Sequence, residues 1–379
     1  MFRMEILRIS RVDTHVCYLM GTCYKAIEMI KKIATFSLSI ILLSACGDSG
    51  SAPLKEPKID YDFTTDKDNI ISERQNILSS FKLSVGDDSF SLLYGKTIRF
   101  KDETGKVNVF DLLKIKNDAG DKIDMFIPSL ENTKKAQSCV LFFQTESKLF
   151  SCSADKRSEN EDLILIQSTL NGNDVRLEFS EYVNVMGSTS FEVLESTDSS
   201  VTLKTVNVFP KFDESSDLGF SSYLKLEHLV NSLDPALKMT LVFDSIIDGS
   251  SDDDINMYTG LLIRERRMNT IVSVNGSVFS GGTDLFSAGV ERVVNSKNSD
   301  IEISLHKQVG VHSWAGDGKV ALEIPFSNES HHKQGSYFNK MLGKKGIPFY
   351  LFTLNAAPAE GEHWMTCEEF RQFGFAEVN

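Results

Sequence analysis

The chain has 379 residues, more than one ordinary domain needs and comfortable for two. A hydrophobic content of 41%, with 26 Phe against 8 Pro, supports real cores and excludes a disordered protein. A net charge of −13 excludes a nucleic-acid binder, which needs Lys and Arg to neutralise phosphates.

Residues 29–46 read MIKKIATFSLSIILLSAC. Two lysines precede an apolar run, and small residues precede a cysteine. This is a secretion signal in form and too short for a good membrane span. Leu43-Ser44-Ala45-Cys46 resembles the lipobox of bacterial lipoproteins. The resemblance implies cleavage before Cys46 and acylation of its thiol and new amino group. The protein is then expected in the bacterial cell envelope, held to the membrane by lipid on the periplasmic face. Gly47 in place of aspartate after the cysteine favours the outer membrane. Residues 1–28 show no such logic, so Met29 is the expected start and 29–45 the signal. Without that leader the chain is more acidic still, which suits anchoring by acyl chains and not by a basic patch.

Residues 46–59 are small, polar and Pro-bearing, a flexible tether. From 60 to 197 short apolar runs alternate with DETG, NDAGD and NGND turns, which predicts an antiparallel β-rich domain after one lead-in helix near 71–81. SCVLFFQTESKLFSC (138–152) reads as a hairpin that brings Cys139 near Cys152. In an oxidising compartment the two can form a disulfide; otherwise they are buried thiols. Cys367 reads as a buried free thiol.

From 198 to 379 the pattern becomes strand, helix, strand, helix, the signature of βαβ units and a largely parallel sheet. The chain is therefore expected to be α+β overall, a β-rich domain followed by an α/β domain. Strands are predicted at 201–209, 239–246, 270–274 and 309–312. Helices are predicted at 218–233, 255–267, 329–343 and 349–357, with a short last one behind the capping box Thr366-Cys-Glu-Glu369.

NGSVFSGGTDLFSAG (275–289) places Ser280 where a strand turns into a helix. Loops at the carboxyl ends of parallel strands collect chemistry. Either Ser280 caps the helix, or it is presented as a nucleophile with the Gly281 amide as oxyanion donor. Gly276, Ser280, Gly282, Ala288 and Gly289 resemble the nucleophile segment of the ClpP/crotonase-like superfamily, in its ClpP-type serine peptidase form, over about 198–379. That resemblance implies repeated ββα or βαβ units and a Ser-His-acid triad. The histidine falls on His312 of VGVHSW and the acid on Glu362 of EGEHWM, where the family usually has Asp. It also implies a second oxyanion amide after the second main strand, at Ile247 or Gly249. The Pro-Gly-Gly loop of the family is replaced here by the longer, acidic DSIIDGSSDDDIN.

The function expected from the resemblance is a membrane-anchored serine hydrolase, a peptidase acting on peptide or protein, with no cofactor. The alternative is an inactive scaffold or binding lipoprotein of the same fold. Acyl-CoA chemistry sits poorly with export. The superfamily commonly assembles, so a homo-oligomer is also implied. No metal is expected: His331 and His332 are adjacent on a helix and point to different faces, and the 252–254 acidic run lacks the EF-hand pattern. Trp314 and Trp364 follow the proposed catalytic residues closely and either wall the site or serve the core.

Overall fold

The computed structural model describes residues 59–379, save 102–103, 106, 129–137, 144–148, 154–162, 171, 181 and 317. The signal, the lipobox with Cys46 and nearly all of the tether lie outside the described residues. Residues Pro57–Asn379 form one compact unit. No helix among the described residues is long and apolar enough to cross a membrane.

The fold is α+β, as expected. Helix α1 (Lys67–Ser80) leads into eight strands: β1 (Lys82–Val85), β2 (Asp88–Lys101), β3 (Val107–Asn117), β4 (Lys122–Pro128), β5 (Ser138–Phe143), β6 (Leu149–Ser153), β7 (Leu163–Leu170) and β8 (Asn173–Ser180). They form one antiparallel sheet in the order β6-β5-β4-β3-β2-β1-β8-β7. Ile115, Met125, Ile166 and Leu177 are fully buried on it and share a core with Val183 and Met186 beyond its last strand. Burying each such side chain contributes roughly 1.5–3 kcal/mol.

The α/β part runs β9 (Thr189–Ser196), β10 (Ser200–Asn207), β11 (Ser215–Leu218), α2 (Phe220–Ser232), β12 (Lys238–Phe243), β13 (Ile246–Ser250), α3 (Asp253–Glu265), β14 (Asn269–Val272), β15 (Ser277–Phe279), α4 (Gly281–Ser287), β16 (Arg292–Val294) and β17 (Val309–Val311). A small hairpin, β18 (Ala315–Gly316) and β19 (Lys319–Val320), precedes α5 (Glu329–Leu342), α6 (Gly346–Ala356), β20 (His363–Trp364), α7 (Cys367–Phe373) and β21 (Glu377–Val378). Two sheets result, β21-β16-β14-β12-β10-β9 and β11-β13-β15-β17-β20. Both are parallel except at the edges β9/β10 and β17/β20.

The repeating unit is thus ββα: one strand in each sheet, then a helix. Two details differ from expectation for this reason. The apolar run 239–246 is not one strand, because the chain crosses between sheets at Asp244-Ser245. Those polar residues make the corner, Asp244 accepting from Ser273 Oγ at 2.6 Å and Ser245 bonding Thr205 at 2.8 Å. Residues 277–279, beyond the strand predicted at 270–274, are strand β15 for the same reason. Strand β9 was expected in the β-rich domain, yet it pairs with β10 and joins the second.

The two halves are pinned by a buried lysine. Lys96 of β2 reaches Asp213 at 2.9 Å and donates to the Ser215 carbonyl at 3.0 Å, with Asp217 at 3.6 Å. A buried amine with several acceptors is tolerated where an unpaired one would not be.

In the β5–β6 pair Cys139 is the direct register partner of Cys152. Opposite positions of an antiparallel pair bring Cα atoms within disulfide range, about 4.5–5.5 Å. Non-reducing peptide mapping of protein from an oxidising compartment is expected to give a Cys139–Cys152 linked peptide. Two alkylatable thiols would contradict this.

Candidate active site

Ser280 sits at the junction of β15 and α4 with φ 51° and ψ −121°. A non-glycine residue in this region stores roughly 1–3 kcal/mol and persists only where its surroundings impose it. The surroundings here are specific. Ser280 N donates to the Gly310 carbonyl at 3.1 Å. Thr283 Oγ1 donates to the same carbonyl at 2.6 Å, which ties the first turn of α4 to β17. Thr283 N and Asp284 N both donate to Ser280 O. Phe286 is fully buried between Phe243 and Phe375 and anchors the helix.

The glycines on the corner are there for close approach. A Cβ at Gly281 would lie 2.5 Å from Ser250 Oγ and 2.8 Å from Ser250 N, and one at Gly310 would lie 2.5 Å from the Phe279 ring. Any side chain at either position would force α4 or β17 outward.

The Ser280 side chain does not cap the helix. Its Oγ instead lies 2.7 Å from Nε2 of His312, the residue immediately after β17. Nδ1 of His312 is 2.6 Å from the Ala359 carbonyl. A carbonyl only accepts, so Nδ1 carries the proton and Nε2 presents its lone pair to the serine hydroxyl. The ring is also held against Phe279, centroids 4.8 Å apart. Phe279 in turn contacts Trp364 at 5.3 Å.

Glu362 does not stand behind the histidine, which corrects the expected triad acid. Its side chain is 56% exposed and accepts from Lys307 at 3.1 Å and Trp364 Nε1 at 2.9 Å. Those two bonds, Trp364 first, hold its carboxyl below the usual range. The cause is local: β20 pairs antiparallel with β17 through Val311↔His363 and Gly310↔Trp364, and the preceding loop, not the acid, meets the imidazole.

Of the oxyanion candidates, Gly281 is the first residue of α4, and the first N–H groups of a helix have no intrahelical acceptor. Gly249 faces the nucleophile, a Cβ there falling 3.7 Å from Ser280 Cβ and 3.8 Å from its Oγ. Ile247 is fully buried and packs under Gly282 instead.

A cleft of about 420 Å³, counting its open mouth, adjoins the pair. Asp253, Asp284, Trp314, Gln334, Phe338 and Thr353 line it. Trp314 donates to Tyr350 Oη at 3.1 Å, and His331, fully buried, bonds the same hydroxyl at 2.7 Å and two main-chain carbonyls. His331 is therefore a brace for the cleft wall. His332 turns away to the backbone of Asp60. No group of three metal-ligating side chains occurs among the described residues. The sequence singled out none of Asp253, Asp284 and Gln334 as site residues. Asp284 lies four residues after Ser280, one helical turn on, and that spacing is the signal that could have found it.

No family model matches the chain and no curated protein matches it. Similar solved structures include an enoyl-CoA hydratase from Bacillus anthracis, 12% identical with a TM-score of 0.33, over 50% of this chain and 69% of that one. An enoyl-CoA hydratase of Geobacillus kaustophilus HTA426 gives 12% and 0.33 over 51% and 70%. One from Thermoplasma volcanium GSS1 gives 11% and 0.32 over 50% and 71%. Each likeness spans about half of this chain at low identity and leaves the chemistry of the site to its own geometry.

The strained corner makes a stability prediction. Ser280→Gly and Ser280→Ala both lose the hydroxyl, but only glycine relieves the positive φ. Denaturant melts are expected to find Ser280→Gly at least as stable as Ser280→Ala. At an unstrained position glycine would be worse by about 0.5–1 kcal/mol, and that result would contradict the strain.

Proposed function

We propose that the protein is an exported, lipid-anchored serine hydrolase acting on peptide or protein substrates. The observation that carries the reading is the 2.7 Å contact between Ser280 Oγ and His312 Nε2 on a strained strand-to-helix corner. His312 takes the hydroxyl proton as Ser280 Oγ attacks the substrate carbonyl. The oxyanion so formed is met by the Gly281 amide, with Gly249 on its other side. His312 then returns the proton to the leaving amine or alcohol, and water drawn by the same imidazole cleaves the acyl-enzyme.

The group behind the histidine is a neutral carbonyl, that of Ala359. It fixes the tautomer, which is the larger part of what an orienting acid does, but offers no full charge to the imidazolium. This same feature favours the second reading, a binding lipoprotein that has kept the fold without turnover.

A fluorophosphonate probe separates the two. Wild type is expected to label, Ser280→Ala not at all, and His312→Ala on the order of 10³-fold more slowly. Glu362→Gln is expected to label within about twofold of wild type, since an exposed ion pair contributes at most about 1 kcal/mol. No labelling of wild type would leave only the binding reading.

Anchoring rests on the lipobox alone. Metabolic labelling with a palmitate analogue is expected to mark the protein and to fail for Cys46→Ala. Equal labelling of both would contradict acylation at Cys46.

A further inference from the structure

Among the described residues, the cleft beside Ser280 is lined by two carboxyl groups and by no lysine or arginine. Asp284 sits one turn along α4 from Ser280, and Asp253 opens α3 from across the cleft. Asp253 bonds Ser250 Oγ. Its residue is exposed at the mouth, although protein crowds its carboxyl on most sides. The Asp284 side chain has no hydrogen-bond partner among the described residues; its main chain is engaged, N donating to Ser280 O and the carbonyl accepting from Tyr337 Oη at 2.8 Å and Ser287 Oγ at 2.6 Å. Gln334, on α5, is likewise without a side-chain partner among the described residues and lines the same cleft. Phe338 and Trp314 supply apolar walls, and Thr353 completes the lining.

The neighbouring cations are committed elsewhere. Lys333 is held by Glu329 at 2.9 Å, Asp254 at 3.0 Å and Asp66 at 3.3 Å. Arg264 donates to the main-chain carbonyls of Met341 at 2.6 Å and Ser287 at 3.3 Å. Burial and, second to it, the Asp253 charge push the Asp284 carboxyl well above its usual range. Asp284 is part-buried and opens on the cleft, and a carboxyl crowded by protein without a partner carries a desolvation cost in the free protein. Unsatisfied acids of this kind collect at functional sites.

We propose that this cleft binds a cationic group, the ammonium or guanidinium of a substrate side chain next to the acyl carbon that Ser280 attacks, with Asp284 as its counter-ion. The proposal rests on the hydrolase reading for its orientation. The cation would sit between Asp284 and Asp253, its alkyl stem along Phe338 and Trp314, with the Gln334 carbonyl as a further acceptor. A neutral side chain would leave the Asp284 carboxyl without a partner and an acidic one would add a like charge, which is where discrimination arises. The substrate class is therefore a peptide or ester of lysine or arginine.

Three measurements test this, two of them without turnover. Nα-blocked thiobenzyl esters of Lys, Leu and Glu are compared on wild type and Asp284→Asn. The expected result is kcat/KM at least tenfold higher for Lys than for Leu, with that ratio falling at least tenfold in the variant. Equal rates for Lys and Leu, or an unchanged ratio in Asp284→Asn, would overturn the proposal. The second needs no turnover. Thermal melting of Ser280→Ala is followed with n-butylammonium chloride, with sodium chloride plus n-butanol as the control. The ammonium is expected to raise Tm and the alcohol not, and the difference is expected to vanish in Ser280→Ala/Asp284→Asn. Equal effects of the two would overturn the cation site, whatever fluorophosphonate says of Ser280. Binding of the ammonium to a protein that fluorophosphonate leaves unlabelled would support the cation site and sink the hydrolase reading. Asp284→Asn alone is expected to melt no lower than wild type. A clearly lower Tm would show that the carboxyl serves packing, and would overturn its role as a waiting counter-ion.

Discussion

The positive φ of Ser280 is the constraint on which the site depends. A relaxed residue at that corner would let the serine hydroxyl bond the free amides of α4 as an ordinary cap. Held at φ 51°, it points away from the helix and toward the end of β17. The strain of roughly 1–3 kcal/mol is offset by the contacts of its neighbours. Thr283 bonds the Gly310 carbonyl, Phe286 is locked among aromatic rings, and Gly281 lets α4 lie against Ser250. The ββα repeat is what makes this possible. It places β15 beside β17 in one sheet, so that a residue ending each strand can meet the other.

His312 inherits its position from that pairing and its orientation from the chain that returns as β20. Val311 and His363 are register partners, and the loop before β20 offers the Ala359 carbonyl to Nδ1. A carbonyl and a carboxylate do the same work in choosing a tautomer, yet differ in what they do for the imidazolium. The Asp253 carboxyl lines the cleft together with His312, while the Ala359 carbonyl is what meets the ring at Nδ1. The site thus keeps its geometry with a neutral support and puts its acids where a ligand would be.

Much of this was legible in the sequence, and the limits are physical. Strand-helix alternation and the Ser280 corner are local patterns, set by periodicity and by glycines that admit close approach, whereas His312 was reached only through the resemblance of its segment to a known family. The capping box at Thr366 is likewise local, and its reciprocal bonds with Glu369 are present. The acid was not legible. Whether Glu362 or a carbonyl three residues earlier meets the imidazole depends on the register of β20 against β17, a long-range pairing with no local mark. Strand β15 was hidden because three residues between a polar turn and two glycines carry too little pattern to announce a strand. The acidic run 252–254 shows the same limit. Asp252 does cap α3, bonding Ile255 N at 3.2 Å and Arg74 at 2.5 Å, while its neighbour Asp253 faces the cleft. Adjacent identical residues take opposite roles there, and only the placement of α3 decides between them.

The central claim is that the corner, the histidine and the Gly281 amide act on one reacting centre. A crystal structure of the protein after reaction with diisopropyl fluorophosphate tests it most directly. The account predicts a phosphorus bonded to Ser280 Oγ, a phosphoryl oxygen within hydrogen-bond distance of Gly281 N, and His312 still bonded to the Ala359 carbonyl. An adduct on another residue, or a phosphoryl oxygen turned away from Gly281 N with His312 displaced, would contradict it.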